Sequence, residues 1–143
     1  MNSSATADSL AVTVKQVQSL LHQAMDRRLR PLGLTVTQFA CLRALHGNPG
    51  MSGAELARRL FVSRQSMNGV VTGLEERGYI DRSTPPGPRR DRAATLTDVA
   101  VARLREAETA VADVVDGMYR GIPDAELADT LRVLTRVAGN LGG

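Results

Sequence analysis

Three uncharged polar side chains recur along one stretch of the chain at the spacing of a helical face. Gln65, Asn68 and Thr72 follow one another at intervals of three and four residues within SRQSMNGVVTG. On a helical wheel they lie opposite an apolar sector about 100° wide, formed by Met67, Val70, Val71 and Leu74. Gln and Asn amides pair bidentately with adenine, as Arg does with guanine. This face therefore has the chemistry to read base edges in a DNA major groove.

Neighbouring residues agree with that interpretation. Arg64 flanks the first turn, and acidic residues come only at the far end, at 75–76. Gly69 and Gly73 are unexpected, because glycine inside a helix costs roughly 1 kcal/mol against alanine. Two glycines indicate close approach of the helix to another surface. The alternative is a solvated polar face on which glycine serves packing inside the chain.

The surrounding pattern predicts the order ααααββαα, which is mainly helical with one small hairpin. Residues 1–8 show no period and are expected to fray. Helices are predicted from 9 to about 30, from 35, from 52 and from 63. Short strands are predicted at 79–84 and 93–97, around a tip of Pro, Gly and Arg, and two helices close the chain.

Polar residues at the predicted helix starts supply caps. Thr35, Ser52 and Ser63 each precede a helical pattern, and Glu55 follows Ser52 at the spacing of a capping box. Gly78 ends the polar-faced helix. Ser52 to Leu60, a short turn and the helix after Ser63 thus form a helix-turn-helix.

Composition limits the class of protein. The net charge is +3 with a pI of about 9.7, a mild basic bias that permits nucleic acid binding. Cys41 is the single cysteine, which excludes an internal disulfide and a cysteine zinc cluster. No apolar run reaches the roughly 20 residues of a membrane span, and no signal peptide is apparent. We therefore expect a cytoplasmic protein without membrane partners.

Three segments together resemble the MarR family of winged-helix transcription regulators. They are LGLTVTQFACLRAL, MSGAELARRLFVSRQSMNGVVTGLEERGYIDR and RRDRAATLT, and the resemblance covers roughly residues 10–141. It implies a homodimer, terminal helices at the dimer interface and the fourth helix in the major groove of a pseudo-palindromic operator. On this basis residues 1–143 form a single chain with dimerisation helices at 9–34 and 98–141. The winged helix-turn-helix occupies 35–97.

The expected DNA contacts combine the polar face with the resemblance. They are Ser52, Ser63, Arg64, Gln65, Ser66, Asn68, Thr72, Arg82, Arg89, Arg90 and Arg92. Arg90 matches the wing arginine that enters the minor groove in the family. Pro88 stands where the family usually has an aspartate that orients this arginine, and nearby prolines would restrict the backbone instead.

Apolar stripes on the terminal helices exceed what a small winged helix needs for its own core. One stripe runs from Leu104 to Met118 and another from Leu127 to Leu141. Burial against a second copy through a two-fold interface is the preferred interpretation. Packing within one chain is the alternative.

Candidate sensing residues follow mainly from the resemblance. The family often binds small anionic or phenolic ligands between the dimer region and the winged helix. The matching wall would comprise Met25, Arg28, Leu29, Leu34, Phe39 and Met51. Cys41 is interpreted as a buried structural thiol, with redox sensing as the alternative. His22 and His46 lack neighbouring ligands, so no metal or cofactor is expected.

Three functions compete. The first is a dimeric transcription regulator, a repressor released by a small-molecule ligand. The second is a winged-helix DNA-binding, architectural or interaction protein without an effector. The third, an enzyme, is disfavoured because the sequence has no nucleophile set, phosphate-binding glycine loop or paired carboxylates.

Overall fold

The computed structural model describes residues 3–82 and 94–143 and has the predicted element order. The helices are α1 (Ser3–Leu29), α2 (Val36–Gly47), α3 (Gly53–Leu60), α4 (Arg64–Glu76), α5 (Asp98–Met118) and α6 (Asp124–Gly142), with a 3-10 turn at Arg30–Leu32. The strands β1 (Ile80–Asp81) and β2 (Thr95–Leu96) pair antiparallel. A mainly helical winged helix-turn-helix architecture is therefore confirmed.

The first helix is longer than predicted. It begins at Ser3, whereas fraying was expected for residues 1–8, so that prediction was wrong for residues 3–8. Adding a turn to an existing helix costs far less than nucleating a new one, and the long helix behind it supplies the nucleus. The helix ends at the 3-10 turn, and Gly33 reverses the chain in the left-handed region with φ of 73°.

The caps fix where α2 and α3 begin. Thr35 and Gln38 form a complete capping box, in which each side chain bonds the other's backbone N–H at 3.1 and 3.0 Å. The box predicted for α3 forms only its Ser52 half: the Ser52 hydroxyl accepts the backbone N–H of Glu55. The Glu55 carboxylate accepts the Ser52 hydroxyl proton instead.

The core lies between α2, α3, α4 and α5, against the end of α1. Its fully buried large side chains are Leu29, Leu42, Leu45, Leu56, Met67, Leu74 and Leu104. Burial of these apolar groups is the main favourable contribution to folding. This core holds α3 and α4 in a fixed relation, which orients the polar face of α4.

The base of the hairpin is tied to the end of α4. Ile80 pairs with Leu96, and the backbone N–H of Thr97 bonds the carbonyl of Tyr79 at 3.1 Å. The Thr97 hydroxyl donates to the Gly78 carbonyl at 2.7 Å and also caps α5 by accepting the N–H of Ala100. The predicted strands were longer, and the parts at 83–84 and 93 lie outside the described residues.

The two terminal helices carry apolar side chains that the chain itself does not cover. No residue of α6 is buried, and only Leu29 is buried in α1. Leu131 is 68% exposed and Leu10 is 60% exposed. In the ranges 3–82 and 94–143, no helix combines the length and apolarity that crossing a bilayer requires.

Candidate nucleic-acid interface

The helix α4 has the two faces that its sequence predicted. Met67, Val71 and Leu74 are fully buried in the core. Gln65, Asn68 and Thr72 are exposed on the other side. Their amides and hydroxyl are therefore presented together to solvent, in a row three and four residues apart.

The hydroxyl groups at the two helix starts are engaged within the protein. The Ser63 hydroxyl accepts the backbone N–H of Ser66 at 3.0 Å and donates to the Ser66 hydroxyl at 2.8 Å. Ser52 caps α3 in the same manner. Both residues remain at helix N-termini, where unpaired backbone N–H groups favour an anion such as phosphate.

The glycines of α4 do not serve packing within the described part of the chain. A Cβ added at Gly69 or Gly73 would meet no atom within 4 Å. Gly53 on α3 faces this helix, and a Cβ added there would lie 3.4 Å from Oδ1 of Asn68, an ordinary contact distance. The Asn68 side chain thus lies against α3 at Gly53, whereas Gly69 leaves the outer face of α4 flat.

The segment that leads into α4 and runs along most of it is positively charged. Residues 56–74 contain three arginines and no acidic residue. Arg58, Arg59 and Arg64 are all exposed. Glu75 and Glu76 follow only at the C-terminal end of α4. A polyanion would therefore approach the N-terminal end with the least repulsion.

Arg82 lies in a different environment from the one expected of a phosphate contact. Its side chain is only 25% exposed, and Nε lies 3.8 Å from a Glu75 carboxylate oxygen. Nε is buried and makes no hydrogen bond within the described ranges. The predicted contacts Arg89, Arg90 and Arg92, like Pro88, lie outside the described residues.

Sequence reasoning missed a contact that joins the end of α4 to the end of α1. Arg77 donates from Nη1 to the Gly33 carbonyl at 2.7 Å, and its guanidinium stacks over the Tyr79 ring at 4.7 Å. A hydrogen bond with Tyr79 also raises the pKa of Arg103 on α5, and Glu106 adds to the rise. No signal in the sequence pointed to this contact, because it joins residues 44 positions apart.

An open cavity of about 400 Å³ lies where α1, α2 and the end of α3 meet. Its walls are Met25, Phe39, Ala40, Arg43, Ala44, Asn48, Arg59 and Leu60. Two of the predicted ligand residues, Met25 and Phe39, are among them. Leu29, Leu34 and Met51 are instead buried in the core. Arg28 bonds Asp113 on α5 at 2.7 Å.

The single thiol is buried in α2. Burial raises the pKa of Cys41 to about 11, and the nearby positive charge of Arg82 opposes this only in part. The thiol is therefore protonated at neutral pH, unlike a reactive thiolate. In residues 3–82 and 94–143, no three His, Cys, Asp or Glu side chains come together as a metal site would require.

Comparisons of the sequence and of the structure with known proteins agree on one protein family. A family profile described as MarR family matches residues 32–91. The HTH-type transcriptional repressor Rv2887 of Mycobacterium tuberculosis is 39% identical over 102 residues, which is 71% of this chain and 73% of that protein. Its solved complex with DNA is 31% identical, covers 90% of this chain and 96% of that one, and has a TM-score of 0.72. The structure of its complex with salicylic acid is 33% identical in sequence, covers 90% of this chain and 95% of that one, and also has a TM-score of 0.72.

Proposed function

Because this chain belongs to the MarR family, we propose that it is a homodimeric, sequence-specific transcription regulator that a small molecule releases from its operator. The observation that carries the proposal is the exposed polar face of α4, with Gln65, Asn68 and Thr72 in one row. The relative Rv2887 is named a repressor and has been solved with DNA. Repression is therefore the preferred direction of regulation.

In the proposed complex α4 enters the major groove by its N-terminal end. Gln65 and Asn68 pair with adenine edges and Arg64 with guanine. Ser52, Ser63 and Ser66 lie at the helix starts, where phosphates accept from backbone N–H groups. The acidic pair at 75–76 stays at the end of α4 that leaves the groove.

The family resemblance extends the proposal to the wing. Arg90 enters the minor groove, where narrow A·T-rich tracts attract arginine. Arg89 and Arg92 meet flanking phosphates. Arg82, half-buried beside Glu75, reaches phosphate only if it leaves that carboxylate, so we expect it to contribute least among these arginines.

A second copy of the chain covers the terminal helices. The apolar faces of α1 and α6, including Leu10, Leu20, Leu131 and Leu134, are exposed in the single chain. Covering them against an identical copy gives a two-fold dimer. The two α4 helices then contact half-sites about 34 Å apart, one turn of DNA.

The effector site is the cavity between α1, α2 and α3. Met25, Phe39 and Leu60 give it apolar walls, and Arg43 and Arg59 add two guanidinium groups. This combination suits a small aromatic carboxylate, because the ring is buried and the carboxylate pairs with arginine. Salicylic acid, found with Rv2887, is the natural first probe.

Selection from a library of random DNA duplexes tests the DNA-binding function. The full-length protein should enrich a pseudo-palindrome with half-sites about 10 base pairs apart. It should bind the enriched duplex as two chains per site, and with far higher affinity than a scrambled duplex of equal length. Recovery of no common sequence, with equal affinity for both duplexes, would contradict a sequence-specific regulator.

Melting of the protein with salicylate tests the effector function separately. A ligand at 100 times its Kd stabilises the native state by roughly 2.7 kcal/mol. We expect a higher Tm for the parent and a reduced shift for Arg43→Ala and Arg59→Ala. Thr109→Ala, an exposed position on α5, serves as the control. If a panel of aromatic acids gave no shift and left operator binding unchanged, the protein would be a winged-helix DNA-binding protein without this class of effector.

A further inference from the structure

The turn between α3 and α4 displays a phenylalanine to solvent. Phe61 is 95% exposed, the highest value among the exposed large apolar side chains of the described residues. It lies two residues before Ser63, which caps α4. Phe61 therefore belongs to the turn that leads directly into the helix that carries Gln65.

The fold does not need this ring. Phe61 adopts φ of 56°, the left-handed region, and is the one residue other than glycine with positive φ in the described ranges. The turn is held by backbone bonds, from the N–H of Phe61 to Arg58 and from the N–H of Val62 to Ala57. Glycine or asparagine would accept this conformation with less strain. An exposed ring in a strained position indicates a role outside the isolated chain.

The surroundings identify the chemistry of the partner. Arg58, Arg59 and Arg64 flank Phe61 in sequence and are exposed, with no acidic residue from 56 to 74. Three exposed arginines within three residues of one exposed apolar ring suit a polyanion with apolar groups at its surface. DNA meets this description, because each thymine presents a C5-methyl group in the major groove next to the phosphates.

We propose that Phe61 is a specificity-determining residue that packs against a thymine methyl group at the edge of each half-site. The inference rests on the proposed DNA-binding function and adds an apolar contact to the amide contacts of α4. Gln65 and Asn68 read hydrogen-bonding edges, whereas Phe61 distinguishes thymine from cytosine by its methyl group.

Variants at position 61 and modified DNA test the contact together. Phe61→Gly and Phe61→Asn keep the turn and remove the ring, and Phe61→Tyr keeps the ring. On the duplex selected by the parent protein, Phe61→Gly and Phe61→Asn should each lose roughly tenfold in affinity, while Phe61→Tyr binds nearly as tightly as the parent. Affinity for a scrambled duplex should be the same for all four proteins, since no charge changes. The Tm of Phe61→Gly should equal or exceed that of the parent, which excludes misfolding as the cause.

Replacing thymines of the selected duplex one at a time by deoxyuridine locates the methyl group. At one position in each half-site the parent should lose about fourfold, and Phe61→Gly should lose nothing further. If Phe61→Gly bound the selected duplex like the parent, or if every uridine substitution affected both proteins equally, the contact would be refuted while sequence-specific binding stood. Failure of the parent to select any duplex would refute the proposed function and this contact together.

Discussion

The Cys41 thiol is the clearest case of a residue whose chemistry is set by burial. Its pKa is about 11 against an ordinary value of 9.0. Because the folded chain holds the proton more tightly than the unfolded chain, stability is full below pH 9 and declines as the pH rises from 9 to 11. The loss should be on the order of 2 kcal/mol. Urea unfolding of the parent and of Cys41→Ala at pH 8 and pH 10.5, at equal protein concentration, should show a smaller decline in the variant. Equal losses of stability in the parent and in Cys41→Ala would contradict the raised pKa of the Cys41 thiol.

The sequence predicted which α4 residues face solvent, but not how far the residues before and after that helix are buried. The positions of Gln65 and Asn68 follow from helical periodicity alone. The half-buried state of Arg82 and the exposure of Phe61 depend on how strands and turns pack against the core. Both residues lie outside α4, Phe61 in the turn before it and Arg82 after β1, so the helical period that places Gln65 and Asn68 does not reach them.

Within the helix α4, alanine substitutions at the two glycines should have different effects on folding stability and on DNA binding. Gly69→Ala should stabilise the fold by up to about 1 kcal/mol, because the added methyl meets no atom within 4 Å. It should also weaken binding to the selected duplex, since the methyl stands beside the row that we propose enters the groove. Gly73→Ala is the matched control: it lies one turn farther along the helix and should stabilise without a comparable loss. Chemical denaturation and fluorescence anisotropy measure the two effects. If Gly69→Ala and Gly73→Ala both bound the selected duplex as tightly as the parent, neither glycine would serve the approach to DNA.

At the start of α4, substitutions of Ser63 can distinguish its role as helix cap from its proposed role beside DNA. Ser63→Ala removes the cap that accepts the Ser66 N–H and should cost about 1 kcal/mol of stability. Ser63→Asp keeps a capping oxygen, and so stability, but places a negative charge toward the phosphates. It should weaken binding to every duplex. Thr35→Asp adds the same charge at the α2 cap and should weaken binding less. Unchanged DNA affinity of Ser63→Asp would place the start of α4 away from DNA.

Element boundaries were predictable where a cap or a glycine marks them. Thr35, Ser63 and Gly78 each lie where their chemistry requires, as N-cap, N-cap and left-handed turn. The start of α1 was not predictable, because residues 3–8 carry no apolar period and extend a helix that begins further along the chain.

For the whole molecule, dimerisation should depend on the exposed apolar face of α6. Leu131→Asp and Leu134→Asp together place two charges on that face, where the leucines are 68% and 44% exposed. Burying unpaired charges is costly, so the variant should be monomeric or unfolded by light scattering at concentrations where the parent is a dimer. Phe61→Asn, a polar substitution of an exposed apolar residue on the winged helix, should remain dimeric. A folded, dimeric double variant would overturn the proposed interface.

The order of elements and the family were readable from the sequence, whereas the cavity was not. Met25 and Phe39 were predicted to line the ligand site and do line the cavity, but Arg43 and Arg59 were not anticipated. A cavity depends on the gap left between packed helices, which a linear pattern does not contain. Leu29 and Leu34 illustrate the same point, since an apolar residue near a pocket is equally suited to the core.

The central claim is that the exposed row on α4 reads DNA sequence, and the most direct measurement is the specificity ratio of a variant without its amides. Gln65→Ala and Asn68→Ala should each cost roughly 1–3 kcal/mol on the selected duplex. On a scrambled duplex at the same salt concentration both should bind like the parent, because no phosphate contact is lost. Thr109→Ala should match the parent on both duplexes. If the doubly substituted protein kept the parent's ratio of specific to non-specific affinity, α4 would not be the reading helix.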